Sequence, residues 1–409
     1  MLLLLLALAQ PQDTVRLTHQ ALLDRAMVLP GRIAAADARA TAAIDRLGVA
    51  GRLDNPILTV QAENLGMQEA VTGKRGLEGT EGQVILSLPL AIGGDRAARR
   101  DVASANRDVA MASRDVSVLE VRESVLMAMI DWERERALLG AAGAERDALE
   151  TLADAMTARA REGRDASSDA ALARLEAAAA RSRHARQLAA ASAANARLAA
   201  FLDLPAGRAI DLEPLACRAR PDLTAFARPA DLDALEASVR AAAASAALAR
   251  AARVPDMHPQ IGLRRSGGFS GVLVGLSLEL PFLNTGAAAA RAAAMDAQAT
   301  EFDRTAFVRA FDGEVLALRR GLADLLAITG AHDSTWRADL ETVVLAEERR
   351  LDVGEGSLYR LFDARRARLD ALTEHETWRD AVRRHQVRLA RLGVAPLSAT
   401  LLCLPEDLP

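Results

Sequence analysis

The stretch LSLELPFLNTG, from Leu276 to Gly286, joins two different sequence patterns. Apolar and polar residues alternate up to Pro281, which ends the alternation. An alanine-rich region then follows, with no further proline until Pro396. Alternation with a period of two is typical of a strand with one apolar face, whereas a long proline-free, alanine-rich stretch favours helix. The sequence therefore predicts a short strand that leads directly into a long helical region.

The composition favours long helices over a thick globular core. The chain has 409 residues, of which 51% are apolar and only 3% aromatic. Its formal net charge is −4, and arginine is evenly mixed with aspartate and glutamate, so the sequence shows no basic stripe that could bind nucleic acid. We interpret most charges as solvated helix surface and expect no nucleic-acid partner.

An internal repeat organises the chain. The segment VILSLPLAIGGDRA, which starts at Val84, resembles VGLSLELPFLNTGA, which starts at Val274. Prolines and glycines keep an offset of 191 or 192 residues: Pro89 with Pro281, Gly94 with Gly286, Gly163 with Gly354, and Pro205 with Pro396. Such self-similarity indicates a duplicated unit. We expect a first repeat over residues 10–209, a linker over 210–229, a second repeat over 230–396 and a C-terminal tail over 397–409.

Each repeat is predicted to begin with a helix, over about 14–48 or about 230–253, and to continue with two short strands. The strands cover about 55–64 and 82–89 in the first repeat, and about 259–265 and 271–280 in the second. In the last strand, Val272, Val274, Leu276, Leu278 and Leu280 share one face, opposite Gly275, Ser277 and Glu279. Two hairpins on an ordinary globular core remain an alternative.

Two proline-free regions, 90–204 and 282–395, follow the strands. Their apolar residues recur every three or four positions, which is the spacing of coiled coils. The sequence predicts helices over 95–161 and 286–352, each on the order of 100 Å long at about 1.5 Å per residue. Each ends near a glycine, Gly163 or Gly354, and a shorter helix then runs to about residue 200 or 392. Each glycine therefore marks the tip of an antiparallel helical hairpin.

The N-terminal stretch MLLLLLALAQ has the apolar core and the Ala-x-Ala arrangement of a secretory signal peptide. Cleavage before Gln10 would remove residues 1–9, which are too few to span a bilayer. This pattern predicts an exported protein, and a buried apolar N-terminal segment is the alternative.

The predicted strands are too few to close a barrel within one chain. Four strands fall short of the practical minimum of about eight. Their alternation nevertheless suits a wall with lipid on one face and water on the other. Closure requires several chains, and three chains would supply twelve strands.

Four segments resemble the TolC-type outer-membrane efflux proteins in their order and spacing. They are LTHQALLDRA near the N-terminus, NPILTVQAE in the first strand, LPFLNTGAAAARAAA after the last strand, and VGEGSLYRLFDARRARLDA at the second tip. The resemblance implies a mainly α-helical homotrimer with a β-barrel part. Its 12-stranded barrel would lie in the outer membrane and continue into the periplasm as an α-helical barrel. The linker and the C-terminal tail would lie in an equatorial belt.

The same resemblance implies a function and partners. The chain would be the passive exit duct of a tripartite efflux or type I secretion system, exporting drugs or heavy-metal ions. It would bind a periplasmic adaptor (membrane fusion) protein, work with an inner-membrane pump, and contact outer-membrane lipid, with most of the chain in the periplasm. A non-membrane coiled-coil scaffold is the alternative function.

By position, the resemblance assigns adaptor docking to the two tips. The residues are Gly163, Arg164 and Asp165 at the first tip, and Val353, Gly354, Glu355, Gly356 and Ser357 at the second. It assigns pore constriction to Asp169 and Asp363. Two positions depart from the family pattern, because Arg360 stands where an acid is expected and Leu351 replaces an aromatic residue. In the ordinary alternative the glycines only cap helices and the two aspartates are solvated surface acids.

The sequence shows no pattern of a catalytic, cofactor or metal site. It lacks G-x-S-x-G, a phosphate-binding loop, H-E-x-x-H and C-x-x-C. Its histidines, at positions 19, 184, 258, 332, 375 and 385, have no metal-ligand spacing. We therefore predict no enzymatic activity, no cofactor and no resident metal.

Cys217 and Cys403 are the only cysteines, and each follows the return helix of its repeat. Pseudo-symmetry between the repeats would bring the two segments to the same level, and the periplasm is oxidising. We therefore expect an intrachain Cys217–Cys403 disulfide. Two unpaired buried cysteines are the alternative, because a disulfide needs Cα atoms within about 7 Å of each other.

Overall fold

The computed structural model describes residues 14–28, 31–63, 81–205, 207–215, 217, 221–223, 228–266, 269–327 and 336–404. The chain divides into two compact units. We call Ala34–Val116 together with Ala230–Ala310 the sheet unit, and Met1–Ile33, Ser117–Pro229 and Phe311–Pro409 the hairpin unit. The predicted signal peptide, residues 1–9, lies outside the described residues.

The expected mainly helical fold is confirmed. In chain order the elements are β1 (Val15–Leu17), α1 (His19–Val28), α2 (Arg32–Ala50), β2 (Ile57–Glu63), β3 (Glu81–Ser87), α3 (Asp95–Arg161), α4 (Ser167–Ala200), β4 (Ile210–Leu212), α5 (Ala230–Ala251), β5 (Met257–Ser266), β6 (Phe269–Leu278), α6 (Ala287–Ala327), α7 (Trp336–Asp352), α8 (Leu358–Arg391) and a 3₁₀ turn (Ala399–Leu402).

The sheet unit contains one antiparallel sheet of four strands in the order β2, β3, β5, β6. The predicted strand pairs are confirmed, with Leu58 opposite Leu86 and Ile261 opposite Val274. In addition, β3 pairs with β5, because Leu86 lies opposite Ile261. This pairing joins the two predicted hairpins into a single sheet, so they are not separate hairpins on a globular core.

The central strands β3 and β5 approach each other closely at Gly262. A Cβ atom at this position would lie 2.4 Å from the carbonyl oxygen of Val84 and 3.0 Å from the Cα atom of Ile85. A larger residue would have to push the two strands apart, so glycine at 262 permits this close backbone approach.

The helices of the sheet unit pack through alanine. Its described buried apolar residues are Ala36, Ala40, Ala43, Ala105, Ala237, Ala246 and Ala290. Alanine allows helices to approach closely but buries little apolar area per residue. Exposed ion pairs accompany this packing, such as Arg114 with Asp37 at 2.6 Å. The sheet unit therefore lacks the thick core of a globular domain, as the composition indicated.

The first predicted helix, over about 14–48, is wrong at its start. Val15–Leu17 form β1, which pairs in parallel with β4, Val15 lying opposite Ile210. The helical part consists of α1 and α2, with Pro30 and Gly31 between them in the sequence. Proline and glycine disfavour a helix interior, whereas β1 depends on a partner from the distant linker, which local sequence does not reveal.

The long helix of the first repeat is confirmed as α3, and its return helix as α4. In the second repeat the predicted helix over 286–352 appears as α6 and α7, and residues 328–335 between them lie outside the described residues. The return helix is α8. No helix in the described part of the chain has an apolar stretch long enough to cross a membrane.

Three apolar clusters stabilise the hairpin unit. The largest surrounds Leu126 and Met129 of α3 and includes Leu198 of α4 together with Leu401 and Leu402 of the 3₁₀ turn. The predicted C-terminal tail is therefore packed into a core as far as the structure describes it. A second cluster, near the two predicted tips, joins Leu149 and Met156 of α3 with alanines of α4 and with Leu358 and Phe362 of α8. The third is formed by α6 and α8 around Leu318, Trp378 and Val382.

Candidate functional site

The first predicted tip is a compact turn between α3 and α4. Gly163 has a φ of +72°. Its N–H donates to the carbonyl oxygen of Ala160 at 3.1 Å, and the N–H of Arg164 donates to the carbonyl oxygen of Arg159 at 2.9 Å. This is the bonding pattern of a Schellman cap, which favours glycine at the left-handed position. Asp165 closes the turn through a 2.7 Å ion pair with Arg159, while Gly163 and Arg164 are exposed.

The second predicted tip has the same backbone geometry. Gly354 has a φ of +79°. Its N–H donates to the carbonyl oxygen of Leu351 at 3.1 Å, and the N–H of Glu355 donates to the carbonyl oxygen of Arg350 at 2.9 Å. A Cβ atom on Gly356 would lie 2.5 Å from the backbone nitrogen of Leu351, so the chain needs glycine there as well. Around this turn the exposed residues are Val353, Gly354, Glu355, Ser357 and Tyr359, with Gly356 half-buried.

The two predicted constriction residues lie just beyond the tips. Asp169 is half-buried in the first turn of α4, where a carboxylate is favoured by the helix dipole. Asp363 is exposed on α8, as is Arg360. Leu351 packs against the second apolar cluster, so its side chain makes apolar contacts here. The constricting role of the two aspartates stays a prediction, because a ring needs more than one chain.

The structure contains a buried charge cluster near the tips that the sequence pattern does not predict. Arg365 of α8 donates to Glu145 of α3 at 3.3 Å and also to Glu348 of α7, and its side chain is only 9% exposed. Arg368 adds a 2.8 Å hydrogen bond to Glu341 of α7. The sequence indicates the burial of Arg365 only by its position, three residues after Phe362 and therefore on the apolar face of α8. The cluster ties three helices together through charge-assisted hydrogen bonds.

A second buried charge cluster, which we call the Glu133 cluster, joins α1, α3, α8 and the 3₁₀ turn. Glu133 accepts hydrogen bonds from His19 and from Arg383, and Arg383 also donates to the carbonyl oxygen of Leu402 at 2.8 Å. Burial alone would raise the pKa of the Glu133 carboxyl. The hydrogen bond from His19 and the positive charges of Arg383, His19 and Arg379 outweigh burial and hold this pKa below its ordinary value of 4.5.

Cys217 and Cys403 form a disulfide with a Cα–Cα distance of 5.6 Å. Both residues are buried, and Cys403 directly follows the 3₁₀ turn. The bond links the segment after β4 to the C-terminal segment across 186 residues of sequence. The structure thus joins the two cysteines that the sequence predicts to be bonded.

The four-stranded sheet separates apolar from polar side chains. Residues directly opposite each other in antiparallel strands point to the same face, so the register defines rows across the sheet. Two rows on one face are Leu58, Leu86, Ile261 and Val274, and then Val60, Val84, Leu263 and Val272, all of them exposed. The opposite face carries mainly polar residues, among them Gln61, Gln83, Glu81 and Arg264. Such a sheet suits contact with lipid on one side and water on the other.

The described residues contain no group of three or more histidine, cysteine, aspartate or glutamate side chains that could hold a metal ion. The acids and bases of the Glu133 cluster already bond to one another within a packed core. Among the described residues, the two turns and the apolar face of the sheet are exposed and open to contact with other molecules.

A family comparison identifies part of the chain. Residues 22–203 match the family described as outer membrane efflux protein. This confirms the resemblance inferred from the sequence. A search of curated protein sequences found no significant match.

Solved structures with the same fold cover nearly the whole chain. The outer membrane protein VceC of Vibrio cholerae matches with a TM-score of 0.73 at 16% identity, covering 92% of this chain and 95% of VceC. The CmeC outer membrane channel of Campylobacter jejuni matches with a TM-score of 0.76 at 13% identity, covering 94% of this chain and 87% of CmeC. The open state of the MtrE outer membrane channel of Neisseria gonorrhoeae matches with a TM-score of 0.69 at 18% identity, covering 93% and 89%. At these identities the matches establish the fold.

The Glu133 cluster predicts a dependence of stability on pH. Because the pKa of Glu133 is lowered in the folded state, its ionised form contributes stability that is fully present above the ordinary value of 4.5. This contribution is lost as the pH falls through the lower pKa that Glu133 has in the folded state. At neutral pH, Glu133→Gln should cost about 3–5 kcal/mol, because it removes the buried carboxylate that accepts hydrogen bonds from His19 and Arg383.

Thermal unfolding followed over a series of pH values tests this prediction. Acidification below 4.5 should lower the unfolding midpoint of the wild type more than that of Glu133→Gln. Glu120→Gln, an exposed change on the same helix, should stay within about 0.5 kcal/mol of the wild type at neutral pH. Equal losses in the wild type and Glu133→Gln on acidification would contradict the prediction.

The disulfide predicts a chemical signature. Denatured, unreduced protein from an oxidising compartment should have no thiol that reacts with a labelling reagent, and reduction should release two per chain. Because the bond closes a long loop, reduction should destabilise the protein by up to ~5 kcal/mol in the chain-entropy account. The double variant Cys217→Ala, Cys403→Ala should be insensitive to reductant. Two reactive thiols in unreduced protein would exclude the bond.

Proposed function

We propose, on the premise that residues 22–203 belong to the outer membrane efflux protein family, that the chain is the outer-membrane channel of a tripartite efflux system. It is a passive duct and not an enzyme. Its strands lie in the outer membrane, and most of the chain lies in the periplasm. The fold shared with VceC, CmeC and MtrE over more than nine-tenths of the chain supports this function.

The single observation that carries this proposal is the exposed apolar face of the sheet. In a soluble protein such a continuous patch would be an aggregation hazard, whereas in a bilayer it is the expected outer surface of a barrel. A coiled-coil scaffold would need no such sheet, so the scaffold alternative is not favoured.

A homotrimer completes the sheet. In the described part of one chain, β2 and β6 each pair with one neighbouring strand, so each leaves one edge open for another chain. Unpaired backbone groups in hydrocarbon cost several kcal/mol each, so an open four-stranded sheet cannot persist in a membrane. Three copies of the chain give twelve strands, which exceeds the minimum for closure. The helical hairpins then continue the barrel into the periplasm.

Matching local geometry supports a duplicated unit. Gly94 and Gly286 both have positive φ and both accept the first backbone hydrogen bond of the following helix, at 3.1 and 2.9 Å. The turns at Gly163 and Gly354 share one bonding pattern. With two repeats in each of three chains, the channel would present six hairpin turns to its partners.

The turns are the docking surface for a periplasmic adaptor, which connects the channel to an inner-membrane pump. The first turn contributes Gly163, Arg164 and Asp165, and the second contributes Val353, Gly354, Glu355, Gly356 and Ser357. Most of these residues are exposed, and the turns are held by capping hydrogen bonds. Both features support this role, since a fixed backbone presents the same surface to every partner. Asp169, in the first turn of α4, and Asp363, in the second turn of α8, form the constriction.

The transported molecules are drugs or heavy-metal ions. The described residues contain no cluster of metal ligands, so selection between these cargoes falls to the pump and not to side chains of the duct. A wide duct discriminates little among solutes.

The first prediction of this function concerns assembly. The exported protein should fractionate with the outer membrane, require detergent for extraction and have the mass of a trimer in mild detergent. The physical reason is that free edges of β2 and β6 must be paired in hydrocarbon. A stable monomer, or a protein that stays in solution without detergent, would defeat the proposed architecture.

A second prediction concerns the turn at residue 354. Gly354→Glu should abolish efflux, because it places a bulky acid on the docking surface and strains a backbone with a φ of +79°. Gly354→Asn is the matched control, since asparagine tolerates this conformation and adds no charge, and it should retain most activity.

Accumulation of a pump substrate in cells reports activity, and the mass of the purified protein reports assembly. Both variants should assemble like the wild type. Full resistance in cells that carry assembled Gly354→Glu would remove this turn from the adaptor interface.

A further inference from the structure

On the described strands, the apolar face of the sheet carries one charged residue, Arg265, at the end of its apolar rows. The strand register places Arg265 in one row with Ala62, Gly82 and Ser270. Its neighbours in the row are small and uncharged, and Arg265 is exposed, so its guanidinium group is open to the surroundings. The next row inward is Val60, Val84, Leu263 and Val272, so the described residues of both rows contain no acid.

The adjacent arginine has a different environment. Arg264 points to the opposite, mainly polar face, where Glu81 lies 3.9 Å from its guanidinium group. Glu81 also accepts a 2.7 Å hydrogen bond from Ser266. Arg264 and Arg265 thus lie on opposite faces of the sheet. Within the described strands, Arg264 has an acidic partner and Arg265 has none.

The row of Arg265 lies at one end of the apolar band. The band runs from Val272 in β6 to Leu280, which lies two residues after the end of that strand. These eight steps cover about 27 Å at about 3.4 Å per residue, or about 21 Å across a membrane at a tilt of about 40°. The row of Arg265 lies two residues further, which adds about 5 Å. Since the apolar band of such barrels is about 25 Å tall, Arg265 falls at its edge.

The depth of Arg265 in the membrane determines the free-energy cost of its charge. On the lipid face an arginine costs about 2–4 kcal/mol at the bilayer midplane but only about 0–1 kcal/mol near the interface. At the interface its neighbours are lipid phosphate groups. A planar guanidinium group binds phosphate oxygens in a bidentate manner, which makes arginine well suited to this ligand.

We propose that Arg265 forms a binding site for the phosphate group of an anionic lipid in the outer leaflet. This site rests on the proposed function, because it requires the sheet to lie in the outer membrane with its helical end toward the periplasm. The end of the sheet that carries Arg265 is the end away from α6, so it reaches the outer leaflet. Because β5 is an inner strand of the sheet, a second copy that pairs with β6 leaves Arg265 uncovered.

Lipid binding to the purified detergent-solubilised channel tests the site. The probes are the phosphorylated glycolipid of the outer leaflet and the same glycolipid with its phosphates removed. The wild type should bind the phosphorylated form about tenfold more tightly, the change expected from one charge-assisted bidentate contact. Arg265→Gln should abolish this preference.

Two further variants make the test specific. Arg264→Gln removes the same charge from the neighbouring position on the polar face and should leave lipid binding within about twofold of the wild type. The double variant Arg265→Gln, Ser270→Arg moves the charge to the next position in the same row and should restore the preference for phosphate.

Several outcomes would overturn the site. The first is an unchanged preference of Arg265→Gln for the phosphorylated glycolipid, and the second is an equal loss of this preference in Arg264→Gln. The third is displacement of the glycolipid by inorganic phosphate alone, which would indicate a site for free anions. Each of these can occur in a channel that is a normal outer-membrane trimer, so it would count against the lipid site alone. A wild-type protein that is soluble without detergent would instead count against the proposed function.

Discussion

The pairing of β3 with β5 is the interaction on which the sheet depends. It joins strands from the two halves of the chain, and its register, Leu86 opposite Ile261, aligns the apolar rows of all four strands. A slip by one residue would move every apolar side chain of one hairpin to the polar face. The close approach at Gly262 further restricts this register, because a Cβ atom there would meet the backbone of β3. The division into an apolar face and a mainly polar face follows from this one register.

Buried charge pairs connect the helices of the hairpin unit in addition to its apolar clusters. Its apolar clusters surround large residues such as Leu126, Leu149 and Trp378, and apolar contacts by themselves are not directional. Arg365 with Glu145, and Glu133 with His19 and Arg383, add contacts that only one arrangement satisfies. A buried pair adds little net stability against a well-packed apolar alternative, yet loss of one partner is costly. We infer that these clusters define how the helices align.

Several features could be predicted because they depend on neighbouring residues. The alternation along β2 and β6 identifies strands and their apolar faces, and the glycines at 163 and 354 identify turns that need a left-handed residue. Other features depend on distant partners. β1 exists only because β4 pairs with it, and Arg365 resembles any surface arginine until Glu145 and Glu348 enclose it.

The sequence by itself determined the mainly helical class, the strands with their two faces, the helix-ending glycines and the likeness to outer-membrane efflux proteins. These follow from period, propensity and turn chemistry, which are properties of short segments. Only the tertiary structure decided that the two hairpins form one sheet, that Arg264 and Arg265 belong to opposite faces of that sheet, and that buried acids pair with Arg365 and Arg383. The physical reason is that register and burial are set by residues far apart in sequence, whose contacts exist only after the chain has folded.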